Sequence, residues 1–208
     1  MAYNFTAASS QYLSAPAPIN GNTFPFTMAC WHYQTTLNTG LLVSLNPTNG
    51  NYIGIAAVNT GAARILHSST TANDTTTTAS AASWNHYCGV VSANNSRTIY
   101  LNAGGQTTGT GTEFAPTTAT NLFLGARRIS GGIGTYATGL ISEVGIWNAA
   151  LTADEIASLA KGMTPNKVRP QSLVFYAPLV RDLTDQKGGL AITNNNGATV
   201  ATHTRVYA

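Results

Sequence analysis

Charge is what this sequence has least of. Only 8% of its 208 residues are Asp, Glu, Lys or Arg, about a third of the usual complement. Between Met1 and Ala126 the charged side chains are Arg64, Asp74, Arg97 and Glu113 alone. Coiled coils and helical bundles need Glu, Lys, Arg and Leu at helical spacing, so both are excluded. A net charge of +3 from scattered cations makes no basic stripe, which speaks against a nucleic-acid partner. The longest apolar run is far short of the roughly 18 residues of a membrane span. The start, Met-Ala-Tyr-Asn-Phe-Thr, shows neither a basic nor an apolar leader region, so a secretory signal is missing or was removed. Two cysteines, Cys30 and Cys88, are too few for a disulfide framework; they are either buried free thiols or one bridge between neighbouring strands. Disorder is excluded in turn, because 43% of the residues are hydrophobic and low net charge lets them bury a core.

What is present is a succession of short strands broken by turn residues. Phe24–Tyr33 alternates with large apolar groups on both faces, the mark of a central strand covered on both sides at least in part. Gly40–Leu45, Asn51–Val58 and Ala62–His67 follow, the last two joined by Asn59-Thr60-Gly61. Ser68–Ser80, with four consecutive Thr, is either an edge strand or a loop. Ser83–Ser92 and Arg97–Leu101 read as a hairpin turning at Ala93–Ser96; Asn121–Gly125 and Gly139–Trp147 are further strands, with a Gly131-Gly132 turn between them. Near 152–161 the pattern changes to one short helix. Thr152 and Glu155 form a capping box, Leu151 and Ile156 a hydrophobic staple, and Ile156, Leu159, Ala160 and Met163 an apolar face. Gly162 and Pro165 stop it. Ser172–Leu179 and Thr199–Tyr207 read as closing strands. The predicted class is all-β, an antiparallel sandwich of two sheets with one short α-helix. It forms a single domain over 1–208, with 163–208 as an extension completing the sheets.

The ordered motifs resemble a laminin-G-like domain of the concanavalin A-like jelly-roll class. The resemblance is carried by Phe26-Thr27-Met28-Ala29-Cys30-Trp31, by Trp84-Asn85-His86-Tyr87-Cys88, and by Arg97-Thr98-Ile99-Tyr100-Leu101-Asn102-Ala103-Gly104. Leu122-Phe123-Leu124-Gly125 and the run Gly139–Ile156 complete it; Ser142 stands where the family usually has Asp. It covers about residues 10 to 162. The Trp residues are expected to fill the space between the sheets with their indole N–H groups partnered. The tail is similar to the ends of laminin-G-like proteins among bacteriophage virion genes. That resemblance implies a non-enzymatic virion structural protein, a capsid decoration (cement) protein. It would bind the major capsid protein and itself, as a homo-oligomer such as a trimer, on the capsid surface. Gly131-Gly132 and the terminal segments would serve as contact arms. The alternative is an extracellular laminin-G-like module binding carbohydrate or a cell-surface glycan.

Few residues offer chemistry. Glycosidases need two carboxylates across the scissile bond, and Glu143 stands alone, better suited to bonding a neighbouring strand or loop. Asp154 and Glu155 are accounted for by the first turn of the helix. No catalytic or cofactor residue is assigned, and the chain is not read as an enzyme. His32, His67, His86 and His203 lack metal-ligand spacing. His86 reads as a hydrogen-bonded structural side chain, and His203 as a subunit contact or exposed polar filler. Structural calcium has two candidate positions, Asp74 among Asn73, Thr75 and Thr76, and Asp182 with Asp185 flanking Thr184; neither is a dense acidic loop. Tyr52, Tyr136 and Trp147 are candidate aromatic platforms for a sugar.

Overall fold

A computed structural model of the chain describes residues 2–47, 51–67, 71–110, 118–203 and 206. The strands follow the turn chemistry closely. After β1 (Ala2–Phe5) and β2 (Tyr12–Pro16) come β3 (Phe26–Gln34), β4 (Gly40–Asn46), β5 (Ile53–Ala57) and β6 (Ala62–His67). Gly61, at φ +90°, makes the turn from β5 to β6. β7 (Thr71–Thr78) is the Thr-rich edge strand; residues 68–70 of that stretch lie outside the described residues. β8 (Ser83–Ala93) and β9 (Ser96–Leu101) form the expected hairpin. Asn102 and Ala103, both at positive φ, turn β9 into β10 (Gly104–Gly109), a strand without apolar alternation to announce it. β11 (Asn121–Leu124) leads to a small hairpin of β12 (Arg127–Ile129) and β13 (Gly132–Gly134), then β14 (Gly139–Trp147) and α1 (Ala153–Ala160). β15 (Leu173–Ala177), β16 (Thr193–Asn195) and β17 (Thr199–Ala201) close the chain. The predicted strand Thr199–Tyr207 therefore stops at Ala201; residues 204, 205, 207 and 208 lie outside the described residues.

Two antiparallel sheets result. One runs β10-β9-β8-β3-β14-β1-β17, with β15 also on β14, and the other runs β16-β2-β11-β4-β5-β6-β7. β15 and β17 join the first and β16 the second, so the C-terminal segment enters both. Between the sheets lies the main core, with Phe5, Leu13, Phe26, Met28, Leu45, Ile55, Ile65, Tyr87, Leu124 and Ile146 among its members. Gly89 sets the spacing at its centre: a Cβ there would stand 2.6 Å from Ile55 Cγ2.

A second core lies outside the first sheet, where α1 packs over Ala29, Cys88, Val90, Trp147 and Tyr176 through Ile156 and Leu159. The helix begins as its sequence dictates. Thr152 Oγ1 accepts from the Glu155 N–H, and a Glu155 carboxylate oxygen accepts from the Thr152 N–H at 2.8 Å. Gly162, at φ +100°, ends it with its N–H on the Leu159 carbonyl and the Met163 N–H on that of Ser158. That turn swings Met163 off the helical phase, leaving it 40% exposed and outside the apolar face expected for it.

The tryptophans depart from expectation. Trp147 is fully buried but on the helix side of its sheet, its indole N–H on the Val168 carbonyl at 2.8 Å. Trp31 and Trp84 are half-buried on that same outer face, since Trp31 pairs with His86 and Tyr33 with Trp84 across β3 and β8. Strand alternation reserves the inter-sheet face for Phe26, Met28 and Cys30 instead. The same alternation settles the cysteines: Cys30 points into the main core and Cys88 into the helix-side core, both as buried free thiols. Adjacent strands carry them, but opposite faces keep their sulfurs apart.

Candidate ligand-binding face

The acidic residues are mostly committed to holding the fold. Glu143 sits buried in a bulge of β14 at φ +52°, accepting from the Tyr176 hydroxyl at 2.7 Å and lying 2.8 Å from His203 Nε2. Burial, and then the adjacent Glu143 carboxylate, push the Tyr176 hydroxyl pKa upward. His203 is therefore not exposed filler; it is half-buried against Glu143 and ties the tail to β14. Glu155 is capped to Thr152 and paired with Arg169 at 2.7 Å. Burial raises its pKa, but the bonds from Thr152 and Arg169 outweigh that and leave it lowered.

Of the calcium candidates, Asp74 and Asp185 have carboxylate oxygens engaged by protein donors. Asp74 faces Arg64 with two bonds of 2.5 and 2.6 Å. Asp185, 1% exposed, accepts from the N–H groups of Tyr176, Lys187, Gly188 and Leu190, while Asp182 beside it is exposed. Among the described residues no group of three His, Cys, Asp or Glu could hold a metal ion.

Three of the four histidines, His32, His67 and His86, are buried. Burial lowers the His32 pKa to about 4, against the bond to the Thr138 carbonyl, and lowers that of His86 to about 3. His86 stacks edge-on with Trp31 at 5.3 Å, and its Nδ1 has no hydrogen-bond partner among the described residues.

Of the three expected aromatic platforms, Trp147 is sealed beneath α1. Tyr52 and Tyr136 both lie on the other side of the molecule, the outer, helix-free face of the seven-stranded sheet, without contact between their rings. Strand alternation there sends Leu13, Ala15, Leu122 and Leu124 inward and leaves Tyr12, Ser14 and Phe123 facing out. The β12–β13 hairpin folds back over this face. Ser44 Oγ donates to the Ala126 carbonyl at 2.8 Å, Asn46 Nδ2 donates to Ser44 Oγ, and Asn46 Oδ1 accepts from the Arg128 N–H at 3.0 Å. These bonds pin the hairpin to β4. They set the Arg127 guanidinium 4.3 Å above the Tyr52 ring and that of Arg128 6.0 Å from the Phe123 ring. Tyr52, buried beneath this lid, has its pKa raised by burial, with Arg127 and Arg64 pulling the other way.

Tyr12 lies at the free side of the cluster. Its ring meets Phe123 edge-on at 5.8 Å and Tyr136 at 6.2 Å, and both tyrosines are half-buried. Tyr136 is oriented by its hydroxyl, which donates to the Ile133 carbonyl. Arg127 Nε is held by Thr135 Oγ1 at 2.9 Å, whereas Arg128 Nε has no partner among the described residues. The face thus offers two half-buried aromatic rings and a half-buried guanidinium on the sheet. Sequence reading missed Tyr12, Phe123, Arg127 and Arg128. The one available signal is that Arg127-Arg128 is the only adjacent pair of cations in a chain so poor in charge.

The architecture and the motifs meet in one family. A laminin-G-type model described as the concanavalin A-like lectin/glucanases superfamily matches residues 7–157. The chain belongs to this superfamily. Solved structures of the same fold include a putative carbohydrate binding protein from Bacteroides ovatus. It is 18% identical at a TM-score of 0.70, over 99% of this chain and 61% of that one. The native heptameric SAP-like pentraxin of Limulus polyphemus is 17% identical at 0.63, over 93% and 89%. The CBM40 of Ruminococcus gnavus IT-sialidase, solved with alpha2,3 sialyllactose, is 15% identical at 0.56, over 77% and 92%. At these identities the likeness is one of fold. No curated protein matches the sequence. Like its structural neighbours, this superfamily member has two jelly-roll sheets, and none of its described helices is long and apolar enough to cross a membrane.

Proposed function

We propose that this chain is a non-enzymatic carbohydrate-binding module, and that its helix-free sheet face holds the glycan. The observation that carries the reading is the cluster of half-buried Tyr12 and Tyr136 around Phe123, with the Arg128 guanidinium at the same ring. Aromatic rings stack on the apolar faces of sugar rings, and a guanidinium donates to hydroxyl or carboxylate oxygens. A sheet supplies that constellation at low ordering cost, because its side chains are already fixed by packing. The commitment of Glu143, Glu155, Asp74 and Asp185 to structural partners supports binding without hydrolysis. The carbohydrate-binding neighbours in Bacteroides ovatus and Ruminococcus gnavus support it as well. A glycan array followed by calorimetry on the best hit tests it. Tyr12→Ala and Arg128→Ala should each weaken binding about tenfold or more. An array with no hit, or variants that bind as the wild type does, would overturn it.

A second reading is favoured by one observation. Along one side of the sandwich the edge strands β7 and β10 lie together, joined by Thr107 Oγ1 to the Asp74 carbonyl at 2.7 Å. They expose Thr76, Thr77, Thr78, Gln106 and Thr108, a surface of hydroxyls and amides. Such a surface loses little side-chain entropy on association. It suits a virion decoration subunit that contacts the major capsid protein and copies of itself, as in a trimer on the capsid surface. Mass spectrometry and imaging of purified particles decide this reading. Assembly through this edge should also be only weakly sensitive to salt.

A further inference from the structure

The arginine hairpin is fastened to the helix-free face in a particular way. β12 and β13 pair only with each other, outside both large sheets. Among the described residues, its two large apolar side chains, Ile129 and Ile133, are half-buried and pack against none of the buried apolar clusters. At the tip, a Cβ built on Gly131 or Gly132 would have no atom within 4 Å. The bonds that hold the hairpin down are polar and sit near its root. Ser44 Oγ donates to the Ala126 carbonyl, the Arg128 N–H to Asn46 Oδ1, and the Leu41 N–H to the Thr135 carbonyl at 3.1 Å. An element with so little buried apolar contact opens at a lower free energy than the strands beneath it.

Both ends of the hairpin carry left-handed backbone. Gly125 enters it at φ +83°, which glycine adopts freely. Thr135 leaves it at φ +55°, a costly conformation for a β-branched side chain. Thr135 is kept there by its carbonyl, which accepts from Leu41, and by its Oγ1, which accepts from Arg127 Nε at 2.9 Å. Strain of this kind persists only while surrounding contacts outweigh it. The further contact is Arg127 itself, 4.3 Å above the Tyr52 ring. That ring is 2% exposed and joins Leu41, Ala56 and Leu66 in an apolar cluster of its own, apart from the main core. We propose that the β12–β13 hairpin is a latched lid, opening and closing as a unit about Gly125 and Thr135, with Tyr52 as its catch. What the lid serves rests on the glycan reading of this face. Arg128 rides on the lid, and only the closed form sets its guanidinium at the Phe123 ring. The affinity for ligand is then the intrinsic affinity scaled by the closed fraction. Tyr52 acts as a positioning residue, touching Arg127 rather than the ligand.

Native-state hydrogen exchange on the full chain, read by amide NMR at low urea concentrations, tests the lid without any ligand. The Arg128 and Leu41 N–H groups bond across the lid contact. They should exchange through a local opening, about tenfold or more faster than the amides of β5 and β11. Tyr52→Leu removes the ring face under Arg127 and should raise that exchange about three- to thirtyfold, with β5 and β11 unchanged. Tyr52→Phe keeps the ring and should exchange as the wild type does. Ser44→Ala frees the Ala126 carbonyl and should loosen the same two amides, so the test stands even if Tyr52→Leu fails to fold. On the glycan array, signals that depend on Arg128 should fall in Tyr52→Leu and return in Tyr52→Phe. Lid amides that exchange only together with β5 and β11, or that ignore both Tyr52→Leu and Ser44→Ala, overturn the lid and leave the glycan reading standing. Arg128-dependent array signals that survive Tyr52→Leu overturn the lid's control of the face. An array without hits, with the lid amides behaving as expected, has the opposite meaning: the glycan reading falls and the lid stands.

Discussion

Replacing Asp185 by Asn removes one oxygen and should cost the fold more than most core substitutions of comparable size. Oδ1 accepts from the N–H groups of Tyr176 at 2.8 Å and Lys187 at 3.0 Å, and Oδ2 from those of Gly188 at 3.0 Å and Leu190 at 3.4 Å. A carboxylate has about four acceptor sites, so four donors fill it and leave none for calcium. An amide in the same place must turn its NH₂ toward two of those donors, whichever way it is flipped. Each lost bond to a charged acceptor is worth about 1.5–3 kcal/mol and the long one less, so the total is about 3–5 kcal/mol. For a domain of this size 1 kcal/mol moves the melting temperature by about 2–4 °C, so a fall of about 6–20 °C is expected. Calorimetry of the wild type, Asp185→Asn and Asp182→Asn at neutral pH measures it, with the exposed Asp182 variant melting as the wild type does. The reasoning fails if Asp185→Asn melts within about 2 °C of wild type. It fails equally if calcium stabilises the wild type but not that variant.

Gly89→Ala should destabilise by about 1–3 kcal/mol, since the new methyl has only 2.6 Å to Ile55 Cγ2; urea unfolding reads this as a lower midpoint at unchanged slope. Trp147→Phe leaves the Val168 carbonyl without its buried donor and opens a cavity under α1, together about 2–4 kcal/mol, measurable in the same assay. Acid should weaken the fold through His32 and His86. Their folded pKa values of about 4 and about 3 lie below the unfolded value, so the unfolded chain binds the extra protons. Stability is complete above about pH 6.5 and falls by roughly 1.4 kcal/mol per pH unit for each histidine as pH drops toward those values. His86→Phe should flatten that slope between pH 6 and 4, and an undiminished slope would count against the assignment.

The features legible in the sequence were those that local physics controls. The Thr152–Glu155 box, the Gly162 stop and the β8–β9 hairpin are set by residues within a few positions of one another, and each stands where it was predicted. Strands without an apolar rhythm were harder. β10, reading Gly-Gly-Gln-Thr-Thr-Gly, is held at an edge by pairing with β9 and has no pattern of its own. The Trp147 assignment failed for another reason. Both faces of β14 are buried from Ile141 to Trp147, so alternation separates two sets of residues without saying which set lies between the sheets.

By itself, the sequence determined the class, the family, the helix and most of the strands, because alternation, caps and turns act over short distances. Only the tertiary structure decided the surfaces. Strand order brings Tyr12 to Phe123 and Tyr136 across more than a hundred residues, and hydrogen bonds to Ser44 and Asn46 lay the arginine hairpin over Tyr52. The meeting of β1, β3 and β14 leaves an uncharged cleft beside Asn4, Tyr33 and Leu140. Which side chains share a face depends on register and pairing between distant segments, and no local pattern encodes that.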